Sequence, residues 1–458
     1  MGTGGDVVDA TDDIADVGAA ARRSATAAVS WFAMGVFAAA NVYYFHRWFF
    51  RYSSSSTSPT YEDTPVSWKV GKYVLMALAV TIAATVAWRR SAIDRSSLRL
   101  LSDGPWRWMV AFVVYVGALS LVGVAIDDDA AGLVSWYFFV PAVLLWALSQ
   151  PGRGSLVVIA RVGVGLIVYH ACFVVMQIVA YVAFDRVPAL SYRNGLLRFG
   201  GGLDDPNGFG VLAVLPLLLV IATLRSFQRR WLAGVLVAVT AAMVAVPASF
   251  TALVAAVVGL AALAPIRRQC RILVAVAAGA SAIGALLMAI PYIRTTVERK
   301  SQSARRRFDL DGSSIDNGIG EYVSDASWFE FIVGSPGSDV STENSYVAAF
   351  TEFGLIGVII VVGAVVVSVR GGAASAHAAR NAGDVHLARV LEGTTAFLVA
   401  FAVAALGVPF FEVFPTNMAF WGAAAVCFVA PSWIRQRADG EDRRVGVDVD
   451  ASLAGDAE

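Results

Sequence analysis

Residues 346–368 read YVAAFTEFGLIGVIIVVGAVVVS, an apolar run that contains one charged side chain, Glu352. A helix needs about 20 apolar residues to cross the hydrocarbon core of a bilayer, and this run is long enough. Runs of similar composition recur along the chain. They are rich in Ala, Val, Leu and Gly and lack the period-two alternation of an outer-membrane barrel, so helices are the remaining spanning structure. The sequence therefore predicts an all-α fold, a polytopic transmembrane helix bundle.

The overall composition also indicates a protein whose solvent is a bilayer. Of 458 residues, 57% are hydrophobic and only 15% are charged, which is too apolar for a soluble domain of this size. The formal net charge of +0 gives no argument for nucleic-acid binding. The three cysteines are isolated, with neither metal-ligand spacing nor a disulfide framework. We expect no metal site, no cofactor and no nucleic-acid partner.

Hydropathy divides the chain into about twelve predicted spans, whose boundaries are fixed to within about two to four residues. The spans are 26–46, 70–88, 108–126, 133–149, 156–183, 208–225, 231–247, 250–265, 272–290, 346–368, 390–408 and 415–432. A large external loop, residues 291–345, separates the ninth span from the tenth. The transmembrane domain covers residues 25–433, and the polar ends, 1–24 and 434–458, are predicted to be disordered.

Arginine distribution predicts the orientation, because short loops rich in Arg stay in the cytoplasm. With both termini cytoplasmic in the plasma membrane, the inner segments carry Arg22, Arg23, Arg89, Arg90, Arg95, Arg99, Arg153, Arg225, Arg229, Arg230, Arg267, Arg268, Arg271, Arg370, Arg380, Arg389, Arg435 and Arg437. The external side receives residues 127–129, 184–207 and 291–345. The long loop is also Arg-rich, but long loops cross membranes largely regardless of charge. The segment 184–207 is too short for this exception to apply, so we expect its cations to have a function.

The first polar feature on the predicted external side is residues 193–208, RNGLLRFGGGLDDPNG. Its glycines permit a close backbone approach to a ligand, and Arg193 and Arg198 are suited to phosphate. Asp205, Pro206 and Asn207 predict a tight turn that caps the next helix. A plain helix-capping turn without chemistry is the alternative interpretation.

The second feature is the cationic part of the external loop. It contains Arg294, Arg299, Lys300, Arg305, Arg306 and Arg307. Guanidinium groups bind phosphates bidentately, so this cluster suits a pyrophosphate-linked lipid. Adhesion to anionic headgroups is the alternative. In the same loop, Asp309 and Asp311 are interpreted as a solvated acidic turn rather than a cation site.

The third feature surrounds the start of the tenth span, where Glu343 and Asn344 precede the helix and Glu352 and Gly354 lie inside it. An intramembrane carboxylate is a functional hypothesis by default, with a structural hydrogen bond to another helix as the alternative. The fourth feature is Glu412, flanked by aromatic residues, for which an interfacial aromatic belt is the favoured interpretation.

His170 lies near the middle of the fifth predicted span. A histidine in this position is more often satisfied by an interhelical hydrogen bond than used in catalysis. We therefore predict a structural role for it.

Taken in order, these residues resemble the O-antigen ligase and polymerase family of membrane glycosyltransferases, which use lipid-pyrophosphate-linked glycans. The residues that carry the resemblance are Arg198, Gly200, Asp205, Pro206, Asn207 and Gly208, then Gly337, Asn344, Tyr346, Glu352, Gly354 and Gly357. It extends over about residues 150 to 430. Two positions depart from the family pattern. Glu343 stands where ligases carry a histidine before Asn, and Phe250 follows Ser249 where the family often has Arg. Both departures favour a polymerase or a divergent ligase-like transferase.

The resemblance implies a GT-C-like bundle that transfers or polymerises glycan on the external face. The donor would be a polyprenyl-pyrophosphate-linked glycan, the acceptor a glycan or lipid, and the surroundings membrane lipids. The donor pyrophosphate would be bound by Arg193, Arg198, Arg305, Arg306 and Arg307. Glu343 would act as general base or orient the acceptor, with Glu352 as second candidate. The structural motif would be Asp205, Pro206, Asn207, Asn344 and Gly354.

Two other classes of function remain open from the sequence. A transporter or flippase of lipid-linked glycan, or of another anionic solute, fits the helix number equally well. It should place polar and broken helices near the membrane midplane, often in paired halves. A non-catalytic scaffold for glycan assembly would keep the fold but make the external arginines dispensable.

Overall fold

The computed structural model describes a little under half of the chain, in separate stretches. Apart from Thr81 and Thr85, these are most of 107–119 and residues 154–184, 190–193, 196–203, 205–227, 229–267, 323–335, 344–408, 416–417, 419–431 and 433–434. Several predictions lie outside the described residues, namely spans 26–46, 133–149 and 272–290, nearly all of 70–88, the tails 1–24 and 435–458, and loop residues 291–322 and 336–343. Arg305, Arg306, Arg307 and Glu343 fall in these parts, and Glu412 also lies outside the described residues.

The described residues are mostly helical, as the apolar runs predict. The helices are α1 (Gly154–Phe184), α2 (Pro206–Thr223), α3 (Arg230–Ala245), α4 (Phe250–Arg267), α5 (Trp328–Val333), α6 (Ser345–Asn381), α7 (Val385–Ala404) and α8 (Ala419–Pro431). A 3-10 turn, Leu224–Ser226, follows α2, and the described residues of 107–119 are helical. Spans predicted at 156–183, 208–225, 231–247 and 250–265 agree closely with α1 to α4.

Four helical stretches are long and apolar enough to cross a membrane: Val164–Phe184, Pro206–Ser226, Ser345–Asn381 and Val385–Ala404. They confirm the prediction of a helical membrane protein. The largest difference from prediction is in α6, which continues to Asn381 rather than ending near 368. The stretch after Arg370 is rich in alanine, the strongest helix former, so the helix continues after its apolar character has ended.

A short β-hairpin departs from the predicted all-α fold. Strand β1 (Leu190–Arg193) pairs with strand β2 (Leu196–Phe199) in antiparallel register, with Arg193 opposite Leu196. The two residues between the strands are Asn194 and Gly195, the dipeptide preferred in two-residue hairpin turns. The sequence signal for a hairpin was therefore present in the external segment that was interpreted for its arginines and glycines.

Helix α7 lies at the centre of the described bundle, against α6, α4 and α2. Its side chains Phe397 and Phe401 are fully buried, and the Phe401 ring lies 4.8 Å from that of Phe420 in α8. Small residues bring the backbones close together. A Cβ on Gly393 would lie 3.1 Å from an α2 carbonyl oxygen, and one on Gly259 would lie 3.2 Å from the Cβ of Ala400. Such contacts are typical of membrane helices, which associate through close packing.

Contacts at the helix ends sort the described segments into two groups. At one end, the Ser345 N–H donates to Ala405 O over 2.9 Å and its hydroxyl to Val408 O over 2.8 Å. We call it the Asn207 end, after a residue at the start of α2. At the other, the Arg389 end, the Arg389 guanidinium donates to the Ser226 hydroxyl over 2.6 Å. Segments predicted to be external thus meet at the Asn207 end. Which end faces the cytoplasm stays a prediction from the arginine distribution.

The Arg389 end also holds an ion pair between Arg380 of α6 and Glu392 of α7, whose side chain is fully buried. Removing the cation would leave the buried carboxylate without its ion-pair partner. We expect Arg380→Met to lower the free energy of unfolding by roughly 3 kcal/mol, the low end of the usual range, because Arg380 is partly exposed. Thermal unfolding in detergent would measure it. Arg389→Met is the matched control, and an equal effect of both variants would contradict the expectation.

Candidate functional site

The buried guanidinium of Arg198 organises the turn before α2. Arg198 lies in β2 and is only 3% exposed. Its Nε donates to Pro247 O over 3.1 Å, and its Nη2 donates to Asn207 Oδ1 over 2.5 Å. One side chain thereby ties the hairpin to the start of α2 and to the connection between α3 and α4.

Asp205, Pro206 and Asn207 form the capping turn that the sequence predicts. The Asp205 carboxylate accepts the backbone N–H of Asn207 over 2.9 Å and that of Gly208 over 2.7 Å, and Pro206 occupies the first helical turn. Asn207 has a second role, because its Oδ1 also accepts the hydroxyl of Ser249 over 2.8 Å. The turn is therefore both a helix cap and part of a partly buried polar cluster, which comprises Arg198, Asp205, Asn207 and Ser249.

The glycines before this turn make close contacts with aromatic side chains of the protein. Gly201 has φ +59°, and a Cβ there would lie 2.7 Å from the Phe209 ring. The Gly202 N–H donates to His170 Nδ1 over 3.1 Å. The backbone approach that the sequence suggested for a ligand is thus made here to α1 and α2. His170 makes a structural hydrogen bond, but its partner is the glycine backbone before α2 and not another helix, as was predicted.

Helix α6 is broken at Gly354, which has φ 63° and ψ −169°. The break lies beside Gly334, which follows α5 and has φ 95°. The Ser335 N–H donates to Thr351 O over 2.9 Å. The Tyr115 hydroxyl lies 2.9 Å from Val333 O and 3.0 Å from Phe353 O, so one phenol joins three segments. Gly354 of the predicted motif is therefore the point where the chain before α6 packs against that helix.

Glu352 lies two residues before this break. Its carboxylate oxygen Oε2 is buried and makes no hydrogen bond with any residue that the structure describes. The structural hydrogen bond considered as the alternative is not made by that oxygen. A buried carboxylate oxygen without a partner is costly and often marks a functional site.

Asn344 is the N-cap of α6. Its Oδ1 accepts the backbone N–H of Tyr346 over 2.9 Å and that of Val347 over 3.4 Å. The Tyr346 hydroxyl donates to Ala402 O of α7 over 2.9 Å. These two motif residues therefore fix the start of α6 against the end of α7.

A chain of contacts joins the two halves of the motif at the Asn207 end. Ser345 binds the carbonyl of Val408, and the neighbouring Gly407 lies against Thr251 at the start of α4. Ser249, two residues before Thr251, binds Asn207. Arg193 ends β1, but its side chain is outside the described atoms, as are Arg305, Arg306, Arg307 and Glu343. Among the described residues, no group of three or more His, Cys, Asp or Glu is arranged to hold a metal ion.

Sequence reasoning missed two polar residues at the start of the last helix. Thr416 and Asn417 are fully buried, and neither Thr416 Oγ1 nor the amide atoms of Asn417 bond to a described residue. Thr416 Oγ1 would lie 3.0 Å from a Cβ on Gly208, which puts it beside the Asp205 turn. Their position after Pro415, at a predicted helix start, was the available signal.

Comparisons with known proteins give no assignment. No protein-family model matches the chain, and no curated protein matches it.

Proposed function

We propose that this chain is a membrane glycosyltransferase of the O-antigen ligase and polymerase type, with about twelve spans in a GT-C-like bundle. It would transfer or polymerise glycan from a polyprenyl-pyrophosphate donor at the external face of the plasma membrane. One observation carries the proposal. The Arg198 cluster and the Asn344–Glu352 segment, which carry the two halves of the motif, lie at the same end of the bundle.

The reaction needs positive charge where the leaving pyrophosphate develops negative charge. Arg198 supplies a fixed cation at the N-terminal end of α2, where the helix dipole adds to the field. Arg193 and the trio Arg305, Arg306 and Arg307 would complete the anion site. In this scheme Arg198 also acts as a positioning residue, because it holds the Asn207 turn.

The reaction also needs a group that takes the acceptor's proton. The acceptor oxygen forms a bond to the anomeric carbon, the bond from that carbon to the phosphate oxygen breaks, and polyprenyl pyrophosphate leaves with the electron pair. The proton passes to a carboxylate. Glu343 is the first candidate. Glu352 is the second, and its buried carboxylate oxygen without a described partner supports it.

A transporter or flippase for the same class of lipid-linked glycan is the second candidate function. The break of α6 at Gly354, close to Glu352, favours it, because transporters build their sites from discontinuous helices. A decisive test uses the purified protein in nanodiscs with a lipid-linked oligosaccharide donor and an acceptor. Glycosyl transfer releases polyprenyl pyrophosphate and lengthens the glycan. In proteoliposomes, movement of the intact donor across the bilayer without bond cleavage would establish the transporter instead.

The carboxylates can be tested in the same assay. We expect Glu343→Gln to lower the rate of transfer by about 100-fold or more, the usual contribution of a general base, and Glu352→Gln tests the second candidate. Glu330→Gln is the matched control, because Glu330 lies on α5 near the same end and its glutamine can keep the capping contact with Ser327. A rate unchanged by both Glu343→Gln and Glu352→Gln, in variants with normal thermal stability, would remove these carboxylates from the mechanism.

A further inference from the structure

Helix α5 directs large apolar side chains away from the protein. Trp328 is 76% exposed, Phe329 55% and Ile332 38%. The helix belongs to the stretch 291–345, which the sequence predicts to be an external loop in water. A contiguous aromatic surface exposed to water is unfavourable and usually marks a surface that contacts something apolar.

The contact between Gly334 and Gly354 fixes the position of α5 along α6. Gly334, directly after α5, lies so close to Gly354 that a Cβ on either glycine would overlap the backbone of the other. Helix α6 begins at Ser345, so Gly354 lies about 13 Å along the helix axis from its start. The end of α5 is therefore far below the start of α6, toward the Arg389 end.

A ring contact gives the direction of α5. The rings of Phe331 and Phe350 meet edge to face with their centroids 5.1 Å apart. Phe331 lies three residues before Gly334, and Phe350 lies four residues before Gly354. Helices α5 and α6 therefore run side by side in the same direction, toward the Arg389 end. Asn344, ten residues after Gly334, lies at the start of α6, at the Asn207 end. A segment that runs down beside a membrane helix and precedes the start of that helix at the same end is re-entrant.

The residues of α6 that directly follow the break are also apolar and exposed. Directly after the break, Leu355 is 42% exposed, Ile356 37% and Ile359 52%. These side chains belong to a helix long and apolar enough to cross a membrane, where exposed apolar side chains contact lipid.

The polar groups of α5 lie at its N-terminal end. Ser327 caps the helix, and the Glu330 carboxylate accepts the Ser327 backbone N–H over 2.7 Å. This capping contact keeps the Glu330 carboxylate at the N-terminal end of α5. The segment thus has a charged start, a tryptophan next to it and an apolar end, which is the order of groups from headgroup to hydrocarbon.

We propose that α5 is a membrane-embedded, re-entrant element whose aromatic face contacts the lipid acyl chains of the leaflet at the Asn207 end. Ser327 and Glu330 lie among the headgroups, and Val333 and Gly334 are the deepest residues. Part of the stretch predicted as an external loop is therefore inside the bilayer. This inference stands on the packing of α5 and does not depend on glycosyl transfer.

Nitroxide labels on single cysteines test this placement in phosphatidylcholine nanodiscs. The background carries Cys172→Ala and Cys270→Ala, while Cys427 is buried and is left in place. A label at Phe329→Cys should be accessible to oxygen and protected from a water-soluble nickel chelate, like a label at Ile359→Cys on the lipid-facing side of α6. Ala382→Cys, in the exposed turn after α6, is the control in water.

Depth gives a second measurement that does not depend on any one variant. A label at Ile332→Cys should report a deeper position than one at Trp328→Cys. Nickel accessibility at position 329 equal to that at 382 would overturn the proposal, since α5 would then lie in water. Protection from both reagents would overturn it as well, because protein would then cover the aromatic face.

Discussion

Gly354→Ala should lower the free energy of unfolding by about 3 kcal/mol or more, and it should do so by adding a single methyl group. The backbone of Gly354, with φ 63° and ψ −169°, is in a region that is essentially restricted to glycine. There is also no room for the added carbon, which would overlap the Ile332 carbonyl and lie 2.5 Å from the Gly334 nitrogen. Gly334→Ala should have a similar effect, because each glycine makes room for the other. Thermal unfolding in detergent, or titration with a denaturing detergent, would measure both.

Gly371→Ala is the matched control in the same helix. A Cβ there would meet nothing within 4 Å, and alanine is the better helix former by about 1 kcal/mol. This variant should be as stable as the natural protein or slightly more stable. If Gly354→Ala behaved in the same way, α6 would have no break at that position, and the placement of α5 beside it would fail too.

Arg198→Met should have the second large effect, a loss of roughly 3 kcal/mol in stability together with the loss of glycosyl transfer. Methionine fills a similar volume but donates no hydrogen bond. Pro247 O and Asn207 Oδ1 would each lose a charged donor in a buried place. The turn that starts α2 would then lose its link through Arg198 to Pro247, and the Ser249 hydroxyl would still join it to the start of α4. Unfolding curves and the nanodisc transfer assay would measure the two consequences.

Arg198→Lys separates the geometry of the guanidinium from its charge. An ammonium group cannot reproduce the planar arrangement of donors that reaches Pro247 and Asn207 together, so we expect lysine to fail almost as badly as methionine. Arg225→Met is the control, because Arg225 is exposed at the Arg389 end, and it should change stability by less than about 0.5 kcal/mol. Full stability and activity in Arg198→Lys would mean that only the charge at this position matters.

Local patterns were enough to predict most of the described helices. Apolar runs gave α1 to α4 to within a few residues, and Asp205, Pro206 and Asn207 gave the cap of α2. The end of α6 was not predicted, because hydropathy follows the bilayer whereas the helix follows the propensity of its alanine-rich second half. The β-hairpin was missed although Asn194–Gly195 is a strong turn signal, because the segment was interpreted for its arginines and glycines.

The candidate site was harder to predict because its contacts join residues that are far apart in sequence. Ser249 lies 42 residues from the Asn207 side chain that it binds, and Pro247 lies 49 residues from Arg198. Ser249 was considered only because the next position lacks an arginine, whereas its own hydroxyl binds Asn207 and completes the polar cluster. A single sequence carries no record of such pairs. The burial of Glu392 opposite Arg380 was missed for the same reason.

The length of α6 makes the orientation of the protein in the membrane measurable. The part after the break, residues 355–381, is about 40 Å long, whereas the hydrocarbon layer is about 30 Å thick. The turn that follows it therefore stands clear of the lipid, and a Cβ on Gly383 would meet no atom within 4 Å. A fluorescent protein or a protease site spliced in at this turn would disturb little of the fold, and in intact cells it would report directly which compartment the arginine-rich end occupies.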